Sequence, residues 1–166
     1  QLLDGKLCGT VEKVLKLTGL PANLLELELT ETVLMQNQET VLHDLNRLHE
    51  LGVSLSIDDF GTGYSSLAYL KRFPLDVLKI DKKFIDDIPT SKDDMAIATA
   101  IIAIAHTLGF KVLAEGVETA TQLEFLRQQH CDHYQGYLCS PPLPADKFEA
   151  LLRQQSSTAV RRQTGS

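Results

Sequence analysis

The 166 residues predict an α/β fold of parallel strands, a partial (β/α)8 TIM-type barrel with about five of its eight strands present. Three observations carry that expectation. Strand-like and helix-like segments alternate at the spacing of βα units. Each strand sets an apolar face against a face of Ser, Glu, Asp, Lys or Gln, whereas the central strands of an open parallel sheet read as continuous apolar runs. The polar faces also carry their functional groups to the carboxyl ends of the strands, where a barrel gathers them at one mouth. Five strands, and a length well under the roughly 250 residues of such barrels, make the chain a portion of one.

The elements follow in order. Leu7 to Leu17 is expected to be a helix with Val11, Val14 and Leu15 on one face, stopped by Gly19 and Pro21. Leu24 to Glu31 is a strand with Leu25, Leu27 and Leu29 on one side and Glu26, Glu28 and Thr30 on the other. A helix from Glu39 to Leu51 places Val41, Leu42, Leu45, Leu48 and Leu51 at helical spacing, with Gly52 as its cap.

The stretch from Val53 to Ser66 organises the rest. Val53, Leu55 and Ile57 alternate with Ser54, Ser56 and Asp58, so this strand ends in acid. Asp58 and Asp59 open a loop that Gly61 and Gly63 allow to turn, and a short helix from Ser65 to Lys71 ends before Pro74. Asp76 to Asp81 is the third strand, with Val77, Lys79 and Asp81 sharing a face. Asp93 and Asp94 are expected to cap a helix running through Ile97, Ile101, Ile104 and Leu108 to Gly109. Lys111 to Glu115 is the fourth strand. Thr119 and Gln122 form a capping box for a helix carrying Leu123 and Leu126, and Asp132 to Gly136 is a weaker fifth strand. A last helix covers Ala145 to Arg153. The domain is expected to span residues 1–154, with 155–166 a polar, disordered tail.

The totals exclude several classes. A 43% apolar content is ordinary for a soluble domain, and no apolar run reaches membrane-spanning length. Nothing at Gln1 resembles a signal peptide, so a cytoplasmic location without membrane contact is expected. A formal charge of −6 argues against a nucleic-acid polymer as partner. Cys8, Cys131 and Cys139 are too few and scattered for a disulfide framework, and His130, Cys131, His133 and Cys139 match no standard zinc spacing.

The chemistry concentrates at the strand ends: Glu28, Asp58, Lys79 with Asp81, Glu115 and Gln135 come from five successive strands. Each alone has a duller explanation, as a solvated strand end, a turn cap or a structural ion pair. Together they converge. Adjacent carboxylates such as Asp58 and Asp59 repel unless a cation lies between them, and carboxylate oxygens suit magnesium or manganese. Several acids and one lysine are the composition for metal-assisted hydrolysis of a phosphate ester. A dinucleotide fingerprint is imitated by Gly61, Gly63 and Ser66, with Asp81 about 20 residues on. It fails because the third glycine is absent and two acids would face the pyrophosphate.

Five ordered motifs then carry a resemblance. Glu-Leu-Thr-Glu at Glu28 to Glu31, Asp-Asp-Phe-Gly-Thr-Gly-Tyr-Ser-Ser-Leu at Asp58 to Leu67, Lys-Ile-Asp at Lys79 to Asp81, Ala-Glu-Gly-Val-Glu-Thr at Ala114 to Thr119 and Gln-Gly-Tyr at Gln135 to Tyr137 resemble the EAL-domain cyclic di-GMP phosphodiesterases. The resemblance implies a two-metal (Mg2+ or Mn2+) enzyme that converts cyclic di-GMP to linear pGpG. It implies Glu28, Asp58 and Asp59 as metal ligands, Lys79 near the metals and the attacked phosphate, and Glu115 orienting or deprotonating water. Asp81, Gln135 and Glu118 would support the site. Glu31 would steady the loop containing Gly61, Gly63 and Ser66, through which a homodimer is expected, and an upstream sensory or cyclase domain is expected in the parent chain. The namesake Glu-Ala-Leu segment and an asparagine ligand are absent from these residues, so the fragment itself is expected to be inactive. A non-catalytic cyclic di-GMP receptor is the alternative.

Overall fold

The computed structural model describes residues 6–34, 38–61 and 70–153. Five strands form one parallel sheet in chain order: β1 (Glu26–Thr30), β2 (Ser54–Phe60), β3 (Val77–Ile80), β4 (Lys111–Ala114) and β5 (His133–Tyr134). The described helices are α1 (Leu7–Thr18), α2 (Glu31–Leu34), α3 (Gln38–Glu50), α4 (Lys92–Leu108), α5 (Ala120–Gln128) and, last, α6 over 145–153. Strand order equal to chain order, all parallel, is the arrangement of a barrel wall.

The register explains which side chains share a face. Leu29, Ile57, Leu78 and Val112 pair across β1 to β4 as one apolar row. That row is buried with Leu34, Val41, Leu45 and Leu48 from α2 and α3, Ala98, Ile101 and Ala105 from α4, and Phe125 and Leu126 from α5. The neighbouring row, Glu28, Ser56, Val77 and Lys111, lies on the other face because strand side chains alternate. Sequence periodicity therefore named the core face correctly in β1 and β2.

Local chemistry sets the element ends. Gly19 closes α1 in the left-handed region at φ 69°, its N–H bonding Leu15 O, and Thr119 with Gln122 makes the expected capping box on α5. Several boundaries differ from expectation. Ser91, not Asp93 or Asp94, caps α4: its hydroxyl accepts the Asp94 N–H at 3.2 Å, which leaves both acids in the first turn beside the helix dipole. Strand β1 stops at Thr30, and Glu31 opens α2 instead of ending the strand. Strand β5 has only two residues. One-turn 3-10 helices at Ala22–Leu24 and Lys82–Phe84 carried no periodic signal to find. Most of the helix expected over Ser65 to Lys71, and the tail at 155–166, lie outside the described residues.

At the amino-terminal edge of the sheet two aspartates stitch neighbouring strands. Asp76 Oδ2 accepts the Leu55 N–H at 2.9 Å, and Asp132 Oδ2 accepts the Val112 N–H at 2.8 Å and faces His106 Nε2 at 2.9 Å. Among the described residues no helix is long and apolar enough to cross a membrane.

Leu78 is fully buried in the central strand, so Leu78→Ala should lower unfolding free energy by about 3 kcal/mol in urea titrations. Partial burial raises the Asp132 carboxyl, but the bonds from His106 and Val112 outweigh it and hold the group below its ordinary value of 3.8. Its contribution to stability is thus complete above that value and lost as pH falls through the lower folded one. Asp132→Asn should be less stable at neutral pH and show a shallower acid-side decline in the urea midpoint.

Candidate active site

The carboxyl ends of all five strands contribute to one cluster centred on Lys79, a side chain only 4% exposed. Its ammonium lies 2.7 Å from Glu115 Oε1 at the end of β4, 2.9 Å from Glu28 Oε1 on β1 and 3.2 Å from Asp58 Oδ1 on β2. Gln135, just past β5, donates from Nε2 to the same Glu115 oxygen at 2.7 Å. Three acceptors match the three N–H bonds of an ammonium, so the buried charge is satisfied. Burial works against that charge, but the hydrogen bonds that it donates to Glu115 and Glu28 outweigh it and hold the lysine well above its ordinary range.

The adjacency of Asp58 and Asp59 needs a second device. Consecutive strand residues point to opposite faces, which would send Asp59 toward the helices. Between the pairs Ile57–Leu78 and Phe60–Ile80 the register shifts, so Asp58 and Asp59 together oppose Lys79 alone. This is a β-bulge. Asp59 takes φ 54°, a left-handed conformation that Asp tolerates better than most side chains. Phe60 returns to the core at 5% exposure while both acids remain outside it. Nothing in the alternation of Val53 to Asp58 announced the bulge; the signal lay in two acids ahead of a buried aromatic and a glycine.

Oxygens of Asp58, Asp59 and Glu115 lie within 4.8 Å of one another, the single grouping of metal-type ligands among the described residues. Partial burial and the neighbouring Asp58 and Asp81 carboxylates raise the Asp59 carboxyl. Burial likewise raises Glu115 despite Lys79 beside it. Hard oxygen donors, converging and under-neutralised, fit a divalent cation such as magnesium or manganese. Glu28, Asp58, Asp59 and Glu115 set four carboxylates around one ammonium.

The remaining sequence-predicted residues distribute differently. Asp81 caps the turn after β3, accepting the Lys83 N–H at 2.8 Å, and adds negative charge beside Asp59. Glu118 pairs with Lys82 at 2.7 Å and takes no part in the Lys79 cluster. Glu31 is 6% exposed, with Oε2 lacking a hydrogen-bond partner among the described residues. Gly61 sits at φ 92° directly after the bulged strand, while Gly63 and Ser66 lie outside the described residues. The cysteines are free thiols, and His130, Cys131, His133 and Cys139 form no metal-type grouping. Sequence reading missed Lys82 and the cross-loop bonds of Gln122.

The match to known proteins agrees with this geometry. The family model described as "EAL domain" matches residues 1–142, and the chain belongs to that family. The cyclic di-GMP phosphodiesterase NbdA of Pseudomonas aeruginosa is 60% identical over 147 residues, covering 89% of this chain and 19% of NbdA. The solved PaMucR phosphodiesterase in complex with c-di-GMP aligns with a TM-score of 0.84 at 44% identity, over 89% of this chain and 61% of that one. Klebsiella pneumoniae BlrP1 in its manganese and cyclic di-GMP complex aligns at 0.74 and 35% identity, over 81% and 34%. The chain spans about a fifth of the length of the curated relatives it matches.

Lys79→Met should cost roughly 2 kcal/mol at neutral pH, below the roughly 3–5 kcal/mol of a fully buried pair because Glu28 and Asp58 keep some water. That deficit should shrink in acid, where the carboxylates are protonated, as chemical denaturation across pH will read. Asp59→Ala should be about 1 kcal/mol less stable than Asp59→Gly, since glycine alone adopts the left-handed bulge freely.

Proposed function

We propose that this chain is the greater part of a catalytic domain that hydrolyses one phosphodiester bond of cyclic di-GMP, giving linear pGpG by a two-metal mechanism. The observation that carries the reading is the convergence of Glu28, Asp58, Asp59, Lys79 and Glu115, from four strands, on one rim. The relatives' names give the substrate.

Glu28, Asp58 and Asp59 would hold magnesium or manganese. Bound there, such ions polarise phosphate oxygens and lower the pKa of water. Glu115, its carboxyl raised by burial, accepts the proton of the attacking water. A new bond forms from the water oxygen to phosphorus, and the P–O3′ bond breaks with a proton delivered to the leaving oxygen. Lys79 supplies fixed positive charge to the phosphoryl oxygens as negative charge builds on them. Gln135 keeps Glu115 aimed, and Asp81 and Glu118 support the loops around it. Glu31 would steady the loop that contains Gly61, Gly63 and Ser66, to which we assign substrate coupling and homodimer contact, in a cytoplasmic parent with an upstream sensory or cyclase domain.

The Glu-Ala-Leu glutamate and the asparagine ligand are not among these residues, so the 166-residue chain alone should not turn over cyclic di-GMP. Extended with the upstream segment that the family resemblance implies, and supplied with Mg2+ or Mn2+, it should release pGpG. A folded, metal-supplied, dimeric domain that binds cyclic di-GMP tightly without turnover would make it a receptor. In the extended protein Asp58→Asn should cut turnover at least about a hundredfold while changing stability by less than about 1 kcal/mol. Equal losses of activity and stability would assign Asp58 a structural part instead.

A further inference from the structure

Gln122 lies on α5, away from the acid rim, yet it is 4% exposed and every polar hydrogen-bonding position of its side chain is engaged. Its Oε1 accepts the N–H groups of Glu118 at 2.8 Å and Thr119 at 2.9 Å, which is the local helix cap. Its Nε2 does something a cap does not require. It donates to Ile85 O at 3.0 Å and Asp86 O at 3.3 Å, in the segment that follows β3.

One amide thereby clips the segment after β3 to the segment after β4. The first follows directly from Lys79 and Asp81, and the second begins with Glu115. A second tie runs parallel to it: Lys82 Nζ reaches Asp86 and Glu118, each at 2.7 Å. Its stem crosses so close to Gly116, at φ 68°, that a Cβ there would collide with Lys82 Cβ, Cγ and Cδ. The segment after β5 joins the same lattice, because the Val117 N–H bonds Gln135 O at 3.0 Å and the Leu138 N–H bonds Val117 O at 3.0 Å. Gly136 packs against the Val117 backbone with no room for a Cβ. Glu115 and Gln135, hydrogen-bonded to each other, thus stand on segments that are laced together.

We propose that Gln122 is a positioning residue for the acid cluster: by joining the segments after β3 and β4 it fixes the Lys79 to Glu115 contact and, through it, the oxygens available to a divalent cation. The cation half of this inference rests on the phosphodiesterase reading; the positional half does not. Buried amides with all bonds made hold backbone segments in one arrangement, and partners of metal ligands shift affinity without touching the ion.

The test uses the 166-residue chain in wild-type form and as Gln122→Met and Thr119→Ala. Methionine keeps length and burial but removes all four side-chain bonds, whereas Thr119→Ala weakens only the helix cap. In the metal-free chain the Lys79 ammonium should give a slowly exchanging 1H–15N correlation. That signal should shift or vanish in Gln122→Met and persist in Thr119→Ala. Manganese binding, read by isothermal titration, should weaken about tenfold in Gln122→Met and change less than about twofold in Thr119→Ala. Should Gln122→Met fail to fold, Gln122→Glu replaces it, keeping the two cap bonds while setting an oxygen against the Ile85 and Asp86 carbonyls. An unchanged Lys79 signal in the folded Gln122 variant, or equal effects in Thr119→Ala, overturns the proposal. If the signal responds as expected but the wild-type chain binds no manganese, the titration is made on the extended protein; absence of binding there ends the metal reading, and the clip stands.

Discussion

A buried ammonium among carboxylates is the constraint on which this end of the molecule depends. Lys79 has almost no water around it, so its charge persists only because Glu115, Glu28 and Asp58 supply acceptors. Those acids come from three other strands, so the contact that neutralises the lysine also sets the strand ends in register. The arrangement needs a barrel-like wall, because only parallel strands in sequential order bring successive carboxyl ends to one rim. Stability and chemistry draw on the same atoms, although Lys79 keeps two other acceptors when a single acid is changed.

The broad fold was legible because alternation is a strong signal when one strand face is apolar. Leu29 and Ile57 were assigned to apolar faces from period-2 spacing, and with Leu78 and Val112 they form one cross-sheet row. The convergence of Glu28, Asp58, Lys79, Glu115 and Gln135 was legible for the same reason, since each ends a strand of matching polarity. Elements without periodicity were not: the turn Lys82–Phe84 is a single 3-10 turn. Ser91 lost the cap assignment to Asp93 and Asp94 because the acids look equally suited to it, and only the backbone angles before the first turn distinguish them.

Gln122 shows a different limit of sequence reading. Its half of the capping box follows from Thr119 three residues earlier, and that half was found. The other half joins it to Ile85 and Asp86, 37 and 36 residues away, through carbonyl oxygens that every residue possesses. A bond to a backbone carbonyl leaves no mark in the partner's identity. Glycines are the exception, and Gly116 and Gly136 do mark where segments cross, since neither leaves space for a side chain.

The register shift at Asp58 and Asp59 has a consequence for transplanting this chemistry. Two neighbouring acids can share a rim only while the strand carries one residue more than its neighbour, so straightening the strand with both acids kept would turn Asp59 toward the core and drive Phe60 into the polar mouth. A designer who grafts the acid pair onto another barrel must therefore carry the kinked backbone along with it; copying the two letters onto a regular strand would deliver only one of the charges.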